Sequence, residues 1–317
     1  PVEDPDALGE PDGNGSVAVA DLREHADTEQ AAFESFAEAH DGVTVERELW
    51  LANAMLVTVD ADAVTTASLL SVANVTDVHG NVAVTPLDAA TATRSGAGAQ
   101  PPHPQVDAEP SGSYTAGLRL VDAPTAWERF DTRGAGATVA VIDTGVDPSG
   151  HDGIAESLER GGWAEFDAAG ERVESEPTDP DSHGTGMSGL LVGNTTDDGR
   201  RYGIAPGAAL YHAKVSGEDG LSFAATVAGL EWAVEQGVDL VSASLGPLSF
   251  PAPFVEPFEN THIGGVGLRE ERPSGGSECR RTIAVSRRAS AARGNPCRKT
   301  VQANVRETSS LSSSSLA

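Results

Sequence analysis

The sequence predicts an α/β protein in two parts, a small α+β module in residues 14–88 and an open parallel sheet in residues 114–250. The main observation is that strand-like apolar runs alternate with helix-like segments after residue 114, a pattern typical of parallel sheets covered by helices. A second observation separates the parts, because residues 89–113 are rich in Pro and Gly and almost lack large aliphatic side chains. That composition predicts an exposed linker that is open to proteolysis.

The module has the predicted element order β-α-β-β-α-β, which is that of a ferredoxin-like fold. A short apolar run at residues 16–22 predicts the first strand. Asp27 with Gln30 resembles a capping box before an Ala- and Phe-rich helix that ends by Gly42. The pattern then predicts strands at residues 43–45 and 55–59, a helix at 61–73 and further strands within 75–84. Residues 1–13, polar with Pro and Gly, predict a disordered end.

The second part begins its sheet with residues 137–142, a continuous apolar run that ends at Asp143. Such a run predicts a strand buried on both faces of a parallel sheet. Residues 208–215 and 238–245 predict two more strands, and residues 221–235 predict a helix with an apolar face. In open α/β sheets the chemistry gathers at the carboxyl ends of the strands, so Asp143 lies where a site is expected.

The net charge is −27, from 48 Asp and Glu against 21 Lys and Arg, and only Lys214 and Lys299 are lysines. A surface this negative repels phosphate, which argues against binding to nucleic acid or to anionic membranes. One interpretation is an ordinary solvated acidic surface. The other is adaptation to molar salt, where a Debye length of about 3 Å screens the repulsion between carboxylates, and the scarcity of Lys favours it.

The charge is divided unevenly along the chain. Residues 1–260 hold 11 basic and 44 acidic residues, whereas residues 261–317 hold 10 and 4, and both Cys279 and Cys297 lie in this basic end. Residues 251–317 show no apolar periodicity and close on a Ser-rich stretch, which predicts an unstructured, low-complexity tail. Our hypothesis is that this tail is read in a shifted frame, so that the α/β part is truncated or frameshifted.

Membrane and export signals are not apparent in the sequence. There is no run of 18 apolar residues, so no membrane span is expected. No signal peptide is visible, because the first residues show neither a basic n-region nor an apolar h-region.

Three segments carry the candidate chemistry: VAVIDTGVD (residues 139–147), DSHGTGMSG (181–189) and DLVSASLG (239–246). A serine hydroxyl is a poor nucleophile until an imidazole takes its proton, and the imidazole needs a carboxylate that holds its tautomer and stabilises its charge. Asp143 suits the carboxylate role, and His183 suits the base, with Gly184 and Gly186 expected to let the backbone approach closely. A lone Asp at a strand end is usually a turn or cap residue, so the interpretation rests on the combination of motifs.

These motifs, in this order, resemble those of the subtilases, the subtilisin-like serine proteases of peptidase type S8. YGIAPGAALYHAKV and LSFAATVAGLEWAVEQGVDLVSASLG strengthen the resemblance, and the acidity makes the chain resemble the halolysin-like members from salt-loving organisms. The resemblance covers residues 114 to about 250, and residues 16–86 resemble more loosely the inhibitory propeptide of such proteases.

The resemblance implies a subtilisin-like fold, with Asp143 and His183 as two members of an Asp-His-Ser triad. It also implies that Ser244, Leu245 and Gly246 form the edge strand that pairs with an extended substrate. The expected partners are polypeptide substrates and the chain's own propeptide-like module. The protein is expected to be a monomer outside the cell or at the cell surface, and its chemistry requires no cofactor.

The sequence also departs from the family pattern. Gly186 replaces the second His of a His-Gly-Thr-His motif, and neither an Ala-Ala-Gly-Asn-like oxyanion segment nor Gly-Thr-Ser-Met-Ala, which holds the nucleophile, occurs. Asn295 and the serines at residues 309–315 lack the matching flanks, so no nucleophile is assigned. We therefore expect this particular chain to be inactive, and unstable if strands after residue 250 are missing, because sheet edges and apolar faces would be exposed.

Two alternatives stay open at this point. Asp152 and residues 194–198 either form a structural calcium site or are neighbours by chance in an acidic sequence. For function, the chain is either a serine endopeptidase precursor or a non-catalytic inhibitor, foldase-like or peptide-binding protein. A third alternative is an acidic interaction protein without protease ancestry, and the motifs argue against it.

Overall fold

The computed structural model describes residues 15–81, 83–86, 113–217, 220–246, 269–270, 283–284 and 301–305. The helices are α1 (Gly15–Glu38), α2 (Thr66–Leu70), α3 (Ala116–Leu120), α4 (Ala123–Phe130), α5 (Asp152–Arg160), α6 (His183–Val192) and α7 (Phe223–Glu235). The strands are β1 (Val43–Leu49), β2 (Ala54–Val59), β3 (Val78–His79), β4 (Ala83–Pro86), β5 (Thr138–Asp143), β6 (Gly162–Phe166), β7 (Arg172–Val173), β8 (Ala209–Lys214), β9 (Ser216–Gly217), β10 (Gly220–Ser222), β11 (Leu240–Ala243), β12 (Leu245–Gly246), β13 (Arg269–Glu270), β14 (Ile283–Ala284) and β15 (Val301–Val305).

The second part of the chain is built on a seven-stranded sheet in the order β13-β14-β11-β5-β8-β6-β7. The four strands β11, β5, β8 and β6 are mutually parallel, as the sequence predicts. One face packs on α7 through residues such as Ile142 and Ala213, and the other face packs on α5 and α6 through Val139, Val141 and Leu210. The α/β class with a parallel sheet is therefore confirmed.

The N-terminal module forms a separate four-stranded sheet in the order β1-β2-β15-β3. Helix α1 lies on it with Leu22, Ala26 and Phe33 buried, a spacing of four and seven residues that puts them on one helix face. Phe33, Met55 and Leu69 belong to a core cluster of the module itself.

The predicted first strand at residues 16–22 is wrong, because α1 runs unbroken from Gly15 to Glu38. No Gly or Pro separates the apolar run from the helix that follows it, and the run's Leu22 continues the helix face. The predicted capping box at Asp27 and Gln30 consequently lies inside a helix. The predicted helix at 61–73 is shorter, from Thr66 to Leu70, with Thr65 accepting from the Ser68 amide as its N-cap.

The predicted strands within residues 75–84 exist as β3 and β4, but they join different sheets. β3 pairs with β15 in the module, whereas β4 pairs with β10 and β12 of the second part. Residues 251–317 were predicted to be unstructured, and for β13, β14 and β15 that prediction is wrong. The predicted disordered end (residues 1–13) and residues 89–112 of the predicted linker lie outside the described residues.

The two parts share one apolar core. It joins module residues such as Leu49 and Leu51 to Ile142 and Leu230 of the second part. Helix α7 lies between them, and twelve of its residues are buried. Among the described residues, no helix is long and apolar enough to cross a membrane.

Candidate active site

Asp143 and His183, the candidate carboxylate and base from the sequence, meet at the carboxyl end of β5. His183 Nδ1 lies 2.7 Å from Asp143 Oδ1, and the Thr144 amide donates to the same oxygen at 2.7 Å. The Asp143 side chain is fully buried and that of His183 is nearly so. Burial raises the pKa of the Asp143 carboxyl above its usual value, while the hydrogen bonds from His183 and Thr144 oppose that rise. The pair has the geometry in which a carboxylate orients an imidazole.

A second carboxylate, Asp179, holds the His183 helix against the Asp143 loop. Asp179 Oδ2 accepts from the amide and the hydroxyl of Thr185, at 2.8 and 2.7 Å, and its Oδ1 accepts from the Thr144 hydroxyl at 2.9 Å. Thr144 Oγ1 in turn accepts from the Gly184 amide. The orphan amides of the first turn of α6 are thus satisfied from outside the helix. Burial raises the pKa of Asp179, but the hydrogen bonds outweigh it and leave the pKa below its ordinary value.

Sequence reasoning missed Asp179. The available signal was an acidic residue four positions before a helix whose N-cap, Ser182, has a left-handed backbone (φ 72°) and makes no side-chain cap bond. A helix start of that kind needs another acceptor for its amides, and Asp179 supplies it.

Close backbone contact brings the Asp143 and His183 segments together. A Cβ on Gly184 would stand 2.2 Å from the Gly145 carbonyl oxygen, and a Cβ on Gly145 would stand 2.1 Å from that of Thr178. The prediction that Gly184 permits close approach agrees with this geometry. For Gly186 the prediction is wrong, because a Cβ there would meet nothing within 4 Å.

The predicted substrate edge holds an extended segment of the module. Leu245 pairs with Pro86 and Gly246 with Thr85, antiparallel, and the Thr85 hydroxyl donates to the Gly246 carbonyl at 3.1 Å. Ser244, the third predicted edge residue, is buried at the junction of β11 and β12.

The same segment has a second edge on its other side. Val84 pairs with Leu221 in β10, so β4 is enclosed in a sheet of order β12-β4-β10-β9. The Val84 side chain is buried, at 3% exposure. The groove between β12 and β10 therefore binds one polypeptide strand through its main chain and covers one of its side chains.

The module is anchored beside this groove by a buried carboxylate on α7. Glu231 Oε1 accepts from the Leu51 amide at 3.1 Å, and its Oε2 lies 3.6 Å from Arg47. Arg47 also pairs with Glu171, and Arg23 pairs with Glu235 across the same interface. Burial raises the pKa of Glu231 to about 7, although the Leu51 amide and Arg47 oppose the rise. A polar cavity of about 430 Å³ lies among these side chains.

A buried polar pair ties α6 to the sheet. Ser188 Oγ lies 3.0 Å from His212 Nδ1, both residues are fully buried, and the His212 ring stacks on Trp163. Burial lowers the pKa of His212 to about 3, so the ring is neutral at ordinary pH. The glycines of α6 disfavour a helix. The Ser188–His212 pair supplies a tertiary contact that helps to hold it.

Two of the side chains considered for a calcium site are bonded to arginines. Asp198 is ion-paired with Arg200, and Asn194 Oδ1 accepts from Arg201, so these oxygens are directed to arginines. Within the described ranges, no group of three or more His, Cys, Asp or Glu is placed to hold a metal ion.

One protein-family model matches the part of the chain that contains these residues. The model described as "Subtilase family" matches residues 134–312, more than half of the chain. The chain belongs to the subtilase family. The match contains Asp143, His183 and the edge Ser244, Leu245 and Gly246, and it continues to residue 312, so it marks no boundary at residue 250.

Curated subtilases are similar over part of their length. The chain is 34% identical over 152 residues to the major intracellular serine protease of Bacillus subtilis (strain 168), covering 47% of this chain and 46% of that protein. It is 37% identical over 153 residues to subtilisin BL of Lederbergia lenta, covering 47% and 52%. It is 32% identical over 131 residues to thermitase of Thermoactinomyces vulgaris, covering 41% and 44%. The chain thus spans about half the length of the curated relatives it matches.

Solved structures give a weaker likeness. Fervidolysin from Fervidobacterium pennivorans, described as a keratinolytic enzyme related to subtilisin, aligns with a TM-score of 0.34 and 25% identity, covering 45% of this chain and 22% of that one.

The two glycines of the His183 turn provide a matched test of the close approach. We expect Gly184→Ala to destabilise the protein by about 3 kcal/mol, because its Cβ would collide with the backbone of the Asp143 loop. Gly186→Ala, two residues away on the same helix and in open space, should stabilise it by up to about 1 kcal/mol. Urea unfolding in high salt measures both, and equal effects of the two substitutions would contradict the packing described.

Glu231 predicts a pH dependence of stability. Its pKa is about 7 in the folded chain and near the ordinary 4.5 when unfolded, so the folded state binds the proton more tightly. Stability should therefore fall as pH rises from about 4.5 to 7, with a slope of at most about 1.4 kcal/mol per pH unit from this group. Glu231→Gln should remove that part of the slope. Glu235→Gln, at an exposed position on the same helix, is the control and should keep it. Urea titrations from pH 4.5 to 8 measure both. Identical slopes for all three proteins would refute the assignment.

Proposed function

We propose that this chain derives from a salt-adapted, subtilisin-like serine endopeptidase precursor in which residues 14–88 act as an inhibitory propeptide. The observation that carries the proposal is the extended segment Ala83–Pro86, held as a β-strand in the groove beside the Asp143–His183 pair. A groove that binds a polypeptide backbone next to a carboxylate-oriented imidazole has the parts needed for peptide-bond hydrolysis, except the nucleophile.

Asp143 and His183 take the first two roles of the triad in this proposal. His183 donates from Nδ1 to Asp143, and in a triad of this kind Nε2 then takes the proton of the attacking serine. Asp143 stabilises the imidazolium that results. Leu245 and Gly246 align the substrate chain, and the chemistry itself uses no metal or other cofactor.

The chain as printed should be catalytically inactive. It contains no Gly-Thr-Ser-Met-Ala segment and no Ala-Ala-Gly-Asn segment, so neither the nucleophile nor the usual oxyanion donor has a candidate. Loss of one oxyanion donor alone typically costs about 100- to 1000-fold in turnover. We propose that residues after about 255 are translated from a shifted frame, in line with the loss of Asp and the change in charge sign there.

The inhibitory role of the module is supported by the same strand. β4 fills the groove that a substrate would use, and Glu231, Glu171 and Glu235 hold the module's arginines beside it. A non-catalytic inhibitor or foldase-like role for this chain is therefore the second candidate. In either case the protein acts as a monomer on polypeptides.

The acidic surface and the location belong to the same proposal. Salt adaptation is supported by 44 acidic residues against 11 basic ones before residue 261. We place the protein outside the cell or at its surface.

Labelling with a serine-directed phosphonate in high salt tests the missing nucleophile. We expect no label on this chain, and stoichiometric label on subtilisin BL under the same conditions as a positive control. A chain whose residues after about 255 are translated from an alternative frame that encodes Gly-Thr-Ser-Met-Ala should also label. Stoichiometric labelling of the printed chain would refute its inactivity, and the absence of such a segment from both other frames would refute the frameshift.

A further inference from the structure

The sheet of the N-terminal module contains one strand that comes from the far end of the chain. β15 lies between β2 and β3 and runs parallel to both, with Ala303 opposite Val57 and Gln302 opposite both Leu56 and His79. No direct pairing joins β2 to β3 among the described residues, and β15 alone bridges them. Without it, the two strands would face each other across a gap of about 10 Å, two inter-strand spacings.

This gap lies at the buried centre of the module. Met55, Val57 and Val59 of β2 are almost completely buried, and they pack with Phe33 of α1 and Leu69 of α2. An empty gap would leave the backbone groups along one side of β2 without strand partners and would open a path from solvent to this core.

The module's own N-terminal segment does not fill the gap. Residues 15–38 are helical, so no strand precedes β1 within the described part of the chain. An added strand is held chiefly by main-chain hydrogen bonds, which makes such a position tolerant of sequence.

Charge favours the tail as the occupant. Residues 14–88 contain two Arg against 13 Asp and Glu, whereas residues 261–317 contain 10 basic residues against 4 acidic ones. An acidic module attracts a basic segment, and the attraction is weakened by salt.

We propose that the centre of the module's sheet is a strand-binding slot and that the tail segment Val301–Val305 occupies it as a parallel strand. The slot is distinct from the groove that holds β4, and it recognises an extended main chain rather than particular side chains. This inference goes beyond the proposed function, since it holds whether or not the chain hydrolyses peptides.

Hydrogen exchange of the full-length chain tests the slot. Ala303→Pro removes the central amide of β15, and we expect amides of Ala54–Val59 to exchange at least tenfold faster while those of Thr138–Asp143 keep their protection. Ser309→Pro, a proline in the tail outside β15, is the matched control and should change neither segment. Unchanged exchange of Ala54–Val59 in the Ala303→Pro protein, or an equal effect of Ser309→Pro, would overturn the proposal.

Cross-linking tests the register without a proline. Asn304 is paired with Thr58, and neighbouring strands at about 4.8 Å are within the reach of a disulfide. With Cys279→Ser and Cys297→Ser in place, Thr58→Cys plus Asn304→Cys should give at least fivefold more intramolecular disulfide than Thr58→Cys plus Ser309→Cys. Equal yields from the two pairs would overturn the assignment of Val301–Val305 to the slot.

Discussion

Helix α7 is buried on both sides, and the sheet, the module and the peptide groove all meet on it. A helix that is apolar all round is stable only when its whole surface is covered. Here the parallel sheet covers one side and the module covers the other, with Glu231 of α7 bonded to the Leu51 amide. The helix begins directly after β10, and Ser222 caps it. Docking of the module therefore completes the core and places Ala83–Pro86 along β10 in the same step. Completion of the core and occupation of the groove by β4 therefore have one physical cause.

The sequence was informative wherever one local pattern determined the outcome. The apolar run ending at Asp143 predicted β5, since a short run rich in Val and Ile is typical of a strand buried on both faces of a parallel sheet. The motif order predicted the meeting of Asp143 and His183, which no single residue would have indicated. Prediction failed at residues 16–22, where apolar residues suit a strand or a helix equally and the helix face of Leu22 decides.

Long-range contacts account for what could not be predicted. Asp179 acts through oxygens directed at Thr144 and Thr185, and only the fold shows that these residues converge. In the sequence Glu231 resembles any other helix residue, and only its burial in the fold raises its pKa. Nothing in the sequence around residues 301–305 indicates which strand they pair with. Their partner β2 lies more than 200 residues earlier in the chain.

Hydrogen bonds and close backbone contact hold the His183 ring against the Asp143 carboxylate. Asp143, Thr144, Asp179 and Thr185 orient His183 through hydrogen bonds and close backbone contact, all supplied by residues before 190. The Asp143–His183 pair depends on the sheet and on α6, so its geometry does not require the segment in which a nucleophile is expected. The carboxylate–imidazole pair and the groove that holds β4 are therefore both formed by residues up to 246.

The proton on His183 Nδ1 provides the most direct test of this account. Proton NMR of the full-length chain with 15N-labelled histidine, in high salt, should show a strongly deshielded Nδ1 proton of His183 that is protected from exchange, because Asp143 accepts it in a buried setting. Asp143→Asn should abolish that signal, whereas Ser188→Ala should affect only the His212 ring. A His183 proton with the same shift and exchange rate in the Asp143→Asn protein would contradict the claim that the Asp143 carboxylate orients the His183 ring.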